Sequence, residues 1–176
     1  MMRKLLQITA AALLLITVAC TKEGNNVEVS YSKDEVKGSW ELTSVYSEDG
    51  KYVTTSSSNE VEADYEVSAK DLNWDLTFNE DDSFASEGDF TLVMETTTNG
   101  NTSEQTLEIP GWGRTGSWSV SGKILTVTVN SEVTTFEITE LSDTKMKVME
   151  AVDETSELPG TTIKTTVNVY YTFDKK

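Results

Sequence analysis

The chain has 176 residues, with 14 Lys and Arg against 30 Asp and Glu, and a formal net charge of −16 at pH 7. A surface that acidic stays soluble and repels both nucleic acid and anionic lipid headgroups. The absence of histidine excludes Ser-His-Asp and Cys-His catalysis and every histidine-ligated metal, and a single cysteine excludes an internal disulfide.

That cysteine, Cys20, follows a basic start, Met1-Met2-Arg3-Lys4, and an apolar run from Leu5 to Ala19. The run is too short to cross a bilayer, which takes about 20 apolar residues. Its order of basic, apolar and small residues is that of a secretory signal. A signal ending at cysteine resembles the lipobox of bacterial lipoproteins. The resemblance implies cleavage before Cys20, a diacylglyceryl group on its sulfur and a lipid on the new amino terminus. Stable anchoring takes two acyl signals, and Cys20 would carry both. Loss of Arg3 and Lys4 takes the net charge from −16 to −18. Residues 1–19 are thus expected to be a signal peptide, 20–31 a lipidated flexible tether and 32–176 a single domain. At the start of that domain, Ser32-Lys33-Asp34-Glu35 has capping-box spacing and predicts one short helical turn.

From Gly38 onward the apolar period is two. In Asp71-Leu72-Asn73-Trp74-Asp75-Leu76-Thr77-Phe78 the even positions are all large and apolar and the odd ones polar. Alternate side chains of a strand point to opposite faces, so this segment buries one face only. Val61, Ala63, Tyr65 and Val67 repeat the pattern, as do Phe84, Phe90, Leu92 and Met94, Trp118 and Val120, Leu125, Val127 and Val129, Phe136 and Ile138, Met146 and Val148, and Val167 to Phe173. Glu60, Glu62, Asp64 and Glu66 read as the solvated face of one such strand. Asp49-Gly50, Asn79 to Ser83, Asn99-Gly100, Ser121-Gly122, Ser142-Asp143 and Pro159-Gly160 read as hairpin turns between strands. The polar stretches 95–104 and 150–162 read as extended hairpin tips. Consecutive hairpins with one buried face make an antiparallel meander. It closes most simply into an all-β up-and-down barrel of eight to ten strands, which leaves no exposed edge; a two-sheet sandwich fits the same pattern. A barrel that itself spans a membrane would turn apolar residues outward and have no use for a lipid anchor.

Gly38-Ser39-Trp40 opens the first strand. Asp49-Gly50-Lys51, Leu76 to Phe84, Gly116-Ser117-Trp118, Ile138 to Met146 and Tyr170-Tyr171-Thr172-Phe173 follow in order. Together with the lipobox, this series resembles the bacterial lipocalin-like domain lipoproteins. The resemblance implies that Gly38 lets the chain turn into strand one and that Trp40 plugs the closed end of the barrel. Lipocalins set an arginine from the last strand over that tryptophan; here Lys175 or Lys176 is the available cation.

A barrel of that size either fills its interior or holds one small ligand. Tyr65, Trp74, Phe90 and Trp112 are the candidate lining of an apolar cavity, with Trp112 in the turn-rich Pro110-Gly111-Trp112-Gly113 placed at a rim. Other chemistry is weaker. Glu80-Asp81-Asp82 lacks the ligand alternation of a calcium loop. No serine sits in a nucleophile elbow or Ser-x-x-Lys context. A chain with 30 acids always offers some carboxylate pair, so pairing alone carries no hydrolase signal. The expectation is a non-enzymatic, lipid-anchored protein of the bacterial cell envelope at the outer membrane, with no cofactor or metal. It would bind a small apolar or amphipathic ligand; the alternative is a filled barrel whose loops contact a glycan or an envelope partner.

Overall fold

The computed structural model describes residues 29–56, 59–109 and 114–176. Cys20, the signal and nearly all of the tether lie outside the described residues, as does Trp112. One short helix, α1 (Lys33–Val36), precedes nine strands: β1 (Gly38–Ser56), β2 (Asn59–Phe78), β3 (Ser83–Thr98), β4 (Asn101–Ile109), β5 (Arg114–Ser121), β6 (Ile124–Val129), β7 (Glu132–Leu141), β8 (Lys145–Leu158) and β9 (Thr161–Lys175). All pairings are antiparallel.

The sheet order is β2-β1-β9-β8-β7-β6-β5-β3-β4, and β2 also pairs with β3. That last pairing closes the ring. β4 and β5 run along one edge of β3, β4 beside Phe90 to Thr98 and β5 beside Ser83 to Ser86. They act as one interrupted strand, so the nine strands occupy eight positions around a closed barrel. The short helical turn forms as its spacing predicts: the Glu35 carboxylate accepts from the Ser32 backbone N–H and from its hydroxyl, both at 2.7 Å. These bonds hold the Glu35 carboxyl below its ordinary pKa.

Asp49-Gly50 is not a hairpin turn. β1 runs straight through it, and the register against both β2 and β9 slips there. Asp49 takes a positive φ of 53°. Gly50 is buried, and a Cβ on it would stand 1.8 Å from the Tyr65 carbonyl oxygen. The dipeptide makes a bulge where two backbones touch, a use that suits Asp-Gly as well as a turn does. A second bulge lies between Lys70 and Asn73, with Asp71 at φ 54°. It switches the inward positions of β2 from odd (Ala63, Tyr65, Val67) to even (Trp74, Leu76, Phe78). The turn between β6 and β7 is Asn130-Ser131, both at positive φ.

One end of the barrel is plugged. Trp40 is fully buried, and its indole N–H donates to the Val36 carbonyl at 2.8 Å. Trp118 repeats the device, donating to the Asn79 carbonyl at 3.0 Å. Phe78 packs between Trp118 and Phe84, with ring centres 5.1 and 5.6 Å away. The Lys175 ammonium lies 5.0 Å from the Trp40 ring centre, in the place the family resemblance gives to an arginine. Gly38, at φ 128°, brings its backbone against that lysine: a Cβ would meet Lys175 Cε at 3.1 Å. α1 lies over this end, tied by Lys33 to Asp82 and by Lys37 to Glu80.

The other end is unequal in height. β1, β2, β3, β4, β8 and β9 extend past the short β6–β7 hairpin. β7 pairs with β8 only from Leu141↔Met146 to Glu137↔Met149. Beyond that point, among the described residues, β8 pairs with β9 alone and β4 with β3 alone. The barrel therefore ends in a hood with an open side.

Candidate ligand cavity

Above the plugged end the barrel contains a cavity of about 280 Å³. Its deep wall is Leu76, Phe78, Phe84, Leu125, Met146 and Phe173; its middle is Trp74, Phe90, Val127 and Val148. Period-two alternation puts these residues inside, since each lies an even number of positions from its neighbours along its strand. Trp74 and Phe90 come from adjacent strands and pack with ring centres 5.2 Å apart. Trp74 also reaches Phe173, 6.4 Å away across the barrel. The one buried polar side chain in this lining is Ser86.

Towards the open end the lining changes character. Glu132, Thr134 and Phe136 of β7, Leu92 of β3, Ile109 of β4 and Tyr171 of β9 form the mouth. The Phe136 and Tyr171 rings meet edge to face at 5.9 Å. The Tyr171 hydroxyl donates to the Glu150 carboxylate at 3.1 Å. Burial pushes the Tyr171 phenol well above its ordinary pKa, and the neighbouring Glu150 charge adds to this. Burial also raises the Glu150 carboxyl, partly offset by the hydrogen bond it accepts from Tyr171.

Of the four residues expected to line a pocket, Trp74 and Phe90 lie together in this cavity. Tyr65 does not join them. Both face inward, but Tyr65 lies nine residues from Trp74 along β2 and stands a storey higher, in a second recess of about 310 Å³ with Tyr52, Met94, Thr96, Ser103, Gln105 and Thr165. Its ring lies 6.4 Å from that of Tyr52. Burial raises the Tyr65 pKa, followed by the charges of Glu154 and of Tyr52. Trp112 lies outside the described residues. Of the mouth residues, Tyr171 stands on the inward stripe from Val167 to Phe173 that the sequence marked, whereas Glu132, Thr134 and Glu150 escaped the sequence reading. Two of these are acids and one a threonine at inward positions, so nothing in their local pattern marks them as lining.

A closed antiparallel ring of eight strand positions, plugged at one end by a Gly-x-Trp strand, now has an independent counterpart. The sequence model described as lipocalin-like domain matches residues 36–148. The chain belongs to the lipocalin-like domain family. The match runs from the helical turn to the start of β8 and includes Trp40, Tyr65, Trp74 and Phe90. No curated protein and no solved structure matches the chain.

Proposed function

We propose that this lipocalin-like protein binds a small apolar or amphipathic molecule inside its barrel. The observation that carries the reading is the cavity: an apolar space of about 280 Å³, sealed below by Trp40 and Trp118 and open above. That volume stands at the lower edge of the range of about 300–1,000 Å³ usual for small-molecule sites. A filled barrel acting only through its surface would leave no such space, so the cavity favours binding over that alternative. Burying a ligand against Trp74, Phe90 and Phe136 would supply the free energy, at about 25 cal/mol per Å² of apolar surface. The role is carriage or sequestration rather than catalysis, and the chain offers no histidine base for the latter.

The basic, apolar and small residues before Cys20 support a lipid anchor on that residue and a place in the bacterial envelope, at the outer membrane. Mass analysis of the mature amino-terminal peptide tests the anchor; an unacylated peptide, or one that retains residues 1–19, would refute it. For the cavity, protein purified from its source and sprayed under native conditions should carry a small adduct. Calorimetry with 1-naphthol, a rigid aromatic probe, should then show saturable binding in lipid nanodiscs after subtraction of empty discs. Thr134→Trp, which plugs the mouth, should abolish that heat without lowering the unfolding midpoint by more than a surface substitution does. Undiminished binding by that variant would remove the cavity from the reading.

A further inference from the structure

The recess around Tyr65 and the apolar cavity form one continuous wall. Leu92 and Ile109 line the cavity; Met94 and Gln105 line the recess. On β3 and β4 these positions are successive inward pairs, Phe90↔Ile109, Leu92↔Leu107 and Met94↔Gln105. Leu107, between them, is 50% exposed although it faces inward. A ligand longer than the lower cavity would cover it on the way up.

The two compartments differ in chemistry. The lower is almost wholly apolar. The upper presents the hydroxyls of Thr96, Ser103 and Thr165, the amide of Gln105 and the phenols of Tyr52 and Tyr65, with no charged side chain in its lining. These groups both donate and accept. Tyr65 keeps its proton at neutral pH, as an ordinary phenol does, and burial and then the Glu154 charge hold its pKa higher still. The tyrosine rings add flat apolar surface with a polar edge. Around the compartments, the inward positions of β7 and β8 place Glu132, Glu150 and Glu154. An anionic head in the recess meets repulsion from Glu154, whose charge already acts on Tyr65. A quaternary or protonated ammonium is attracted by the same carboxylate, but it accepts no hydrogen bond and leaves the donors of the recess unmatched. A neutral group with several hydroxyls matches both the donors and the acceptors.

Resting on the reading of the barrel as a ligand-binding site, we propose that the ligand is amphipathic, with an apolar body in the lower cavity and a neutral, hydroxyl-rich head, such as one sugar ring, in the upper recess. Tyr52, Tyr65, Ser103 and Gln105 are then the residues that set specificity. Trp74 and Phe90 set affinity for the body.

Four probes with one naphthalene body test this on the whole mature protein in nanodiscs: 1-naphthol, 1-naphthyl β-glucoside, 1-naphthyl phosphate and 1-naphthylmethylamine. The glucoside should bind at least about tenfold more tightly than 1-naphthol, and the phosphate and the amine more weakly than the glucoside by a similar factor. Gln105→Leu with Ser103→Ala should remove the preference for the glucoside while leaving 1-naphthol affinity and the unfolding midpoint unchanged. A glucoside that binds no better than 1-naphthol overturns the head assignment and leaves the cavity reading standing. So does a phosphate or an amine that binds tightest. Failure of all four probes, 1-naphthol included, overturns the cavity reading and this proposal with it.

Discussion

The two ends of this barrel are built from the same alternating strands, yet they differ in what the inward positions hold. At the plugged end every strand has a neighbour on both sides, and the inward residues are Trp40, Phe78, Phe84, Trp118 and Ile138, all buried. At the hooded end β4 and the upper part of β8 have one neighbour each among the described residues. Inward residues there stay wet: Val61 is 48% exposed and Leu158 55%. The difference teaches that closure of a ring and filling of a core are separate events. Backbone pairing makes the cylinder, but only large side chains aimed at one another from opposite walls make a solid. Where the inward residues shrink to Ser, Thr and Gln, or stand on strands whose facing wall is short, space remains.

Truncation at the plugged end should have the largest effect. Trp40→Ala removes a fully buried ring, its hydrogen bond to Val36 and its contact with Lys175, and should lower the unfolding free energy by about 3–5 kcal/mol in urea titration. A loss no larger than that of a surface substitution would erase the distinction between the ends. Gly50→Ala comes next. Its new Cβ would collide with the Tyr65 carbonyl, so the two backbones must separate, at about 1–3 kcal/mol. That strain acts at the hooded end, so probe binding should fall with it. Hydrogen exchange sharpens the comparison without mutation. Amides of β4 and of 150–158 should exchange at least about tenfold faster than those of β9 beside Trp40, because only one neighbour guards them. Equal protection at both ends would mean that the hood is as firmly held as the base.

The smallest expected effect is that of Glu150→Gln at the mouth. The folded state raises the Glu150 pKa, so folding favours the neutral acid. The resulting penalty is complete at neutral pH, shrinks as pH falls through the carboxylate range, and vanishes below the unfolded pKa of about 4.3. Glutamine keeps an acceptor for the Tyr171 hydroxyl and carries no charge. The variant should therefore melt slightly higher than the parent at pH 7 and level with it near pH 4. A constant difference across that span would place the effect outside titration.

Much of the plugged end was legible in the sequence. The alternation from Leu72 to Phe78 and the capping spacing at Ser32 act through neighbours in the chain, and local pattern reports local geometry; the roles of Gly38 and Trp40, which both meet Lys175 of the last strand, came from the family resemblance. The hooded end was less legible. Asp49-Gly50 serves a turn and a bulge equally well, and only the carbonyl of Tyr65, brought in from β2, decides between them. Tyr65 and Trp74 stand at odd and even positions, so simple alternation sets them on opposite faces; only the bulge at Asp71 turns both inward. At the mouth Tyr171 stood on a legible stripe, but the polar residues Glu132, Thr134 and Glu150 were hidden. Glu132, Thr134, Glu150 and Tyr171 lie on three strands, and they meet only because the ring closes. Their polarity makes each strand's alternation fade at the place where a site forms.

The Tyr31 N–H donates to the Gly122 carbonyl at 2.9 Å, on the turn between β5 and β6. The leader thus enters the molecule at its foot, beside the tryptophans, and not at the rim. A lipid on Cys20, as proposed above, would hold the barrel by that foot, and solutes would then reach the rim on the far side without first crossing the anchoring surface.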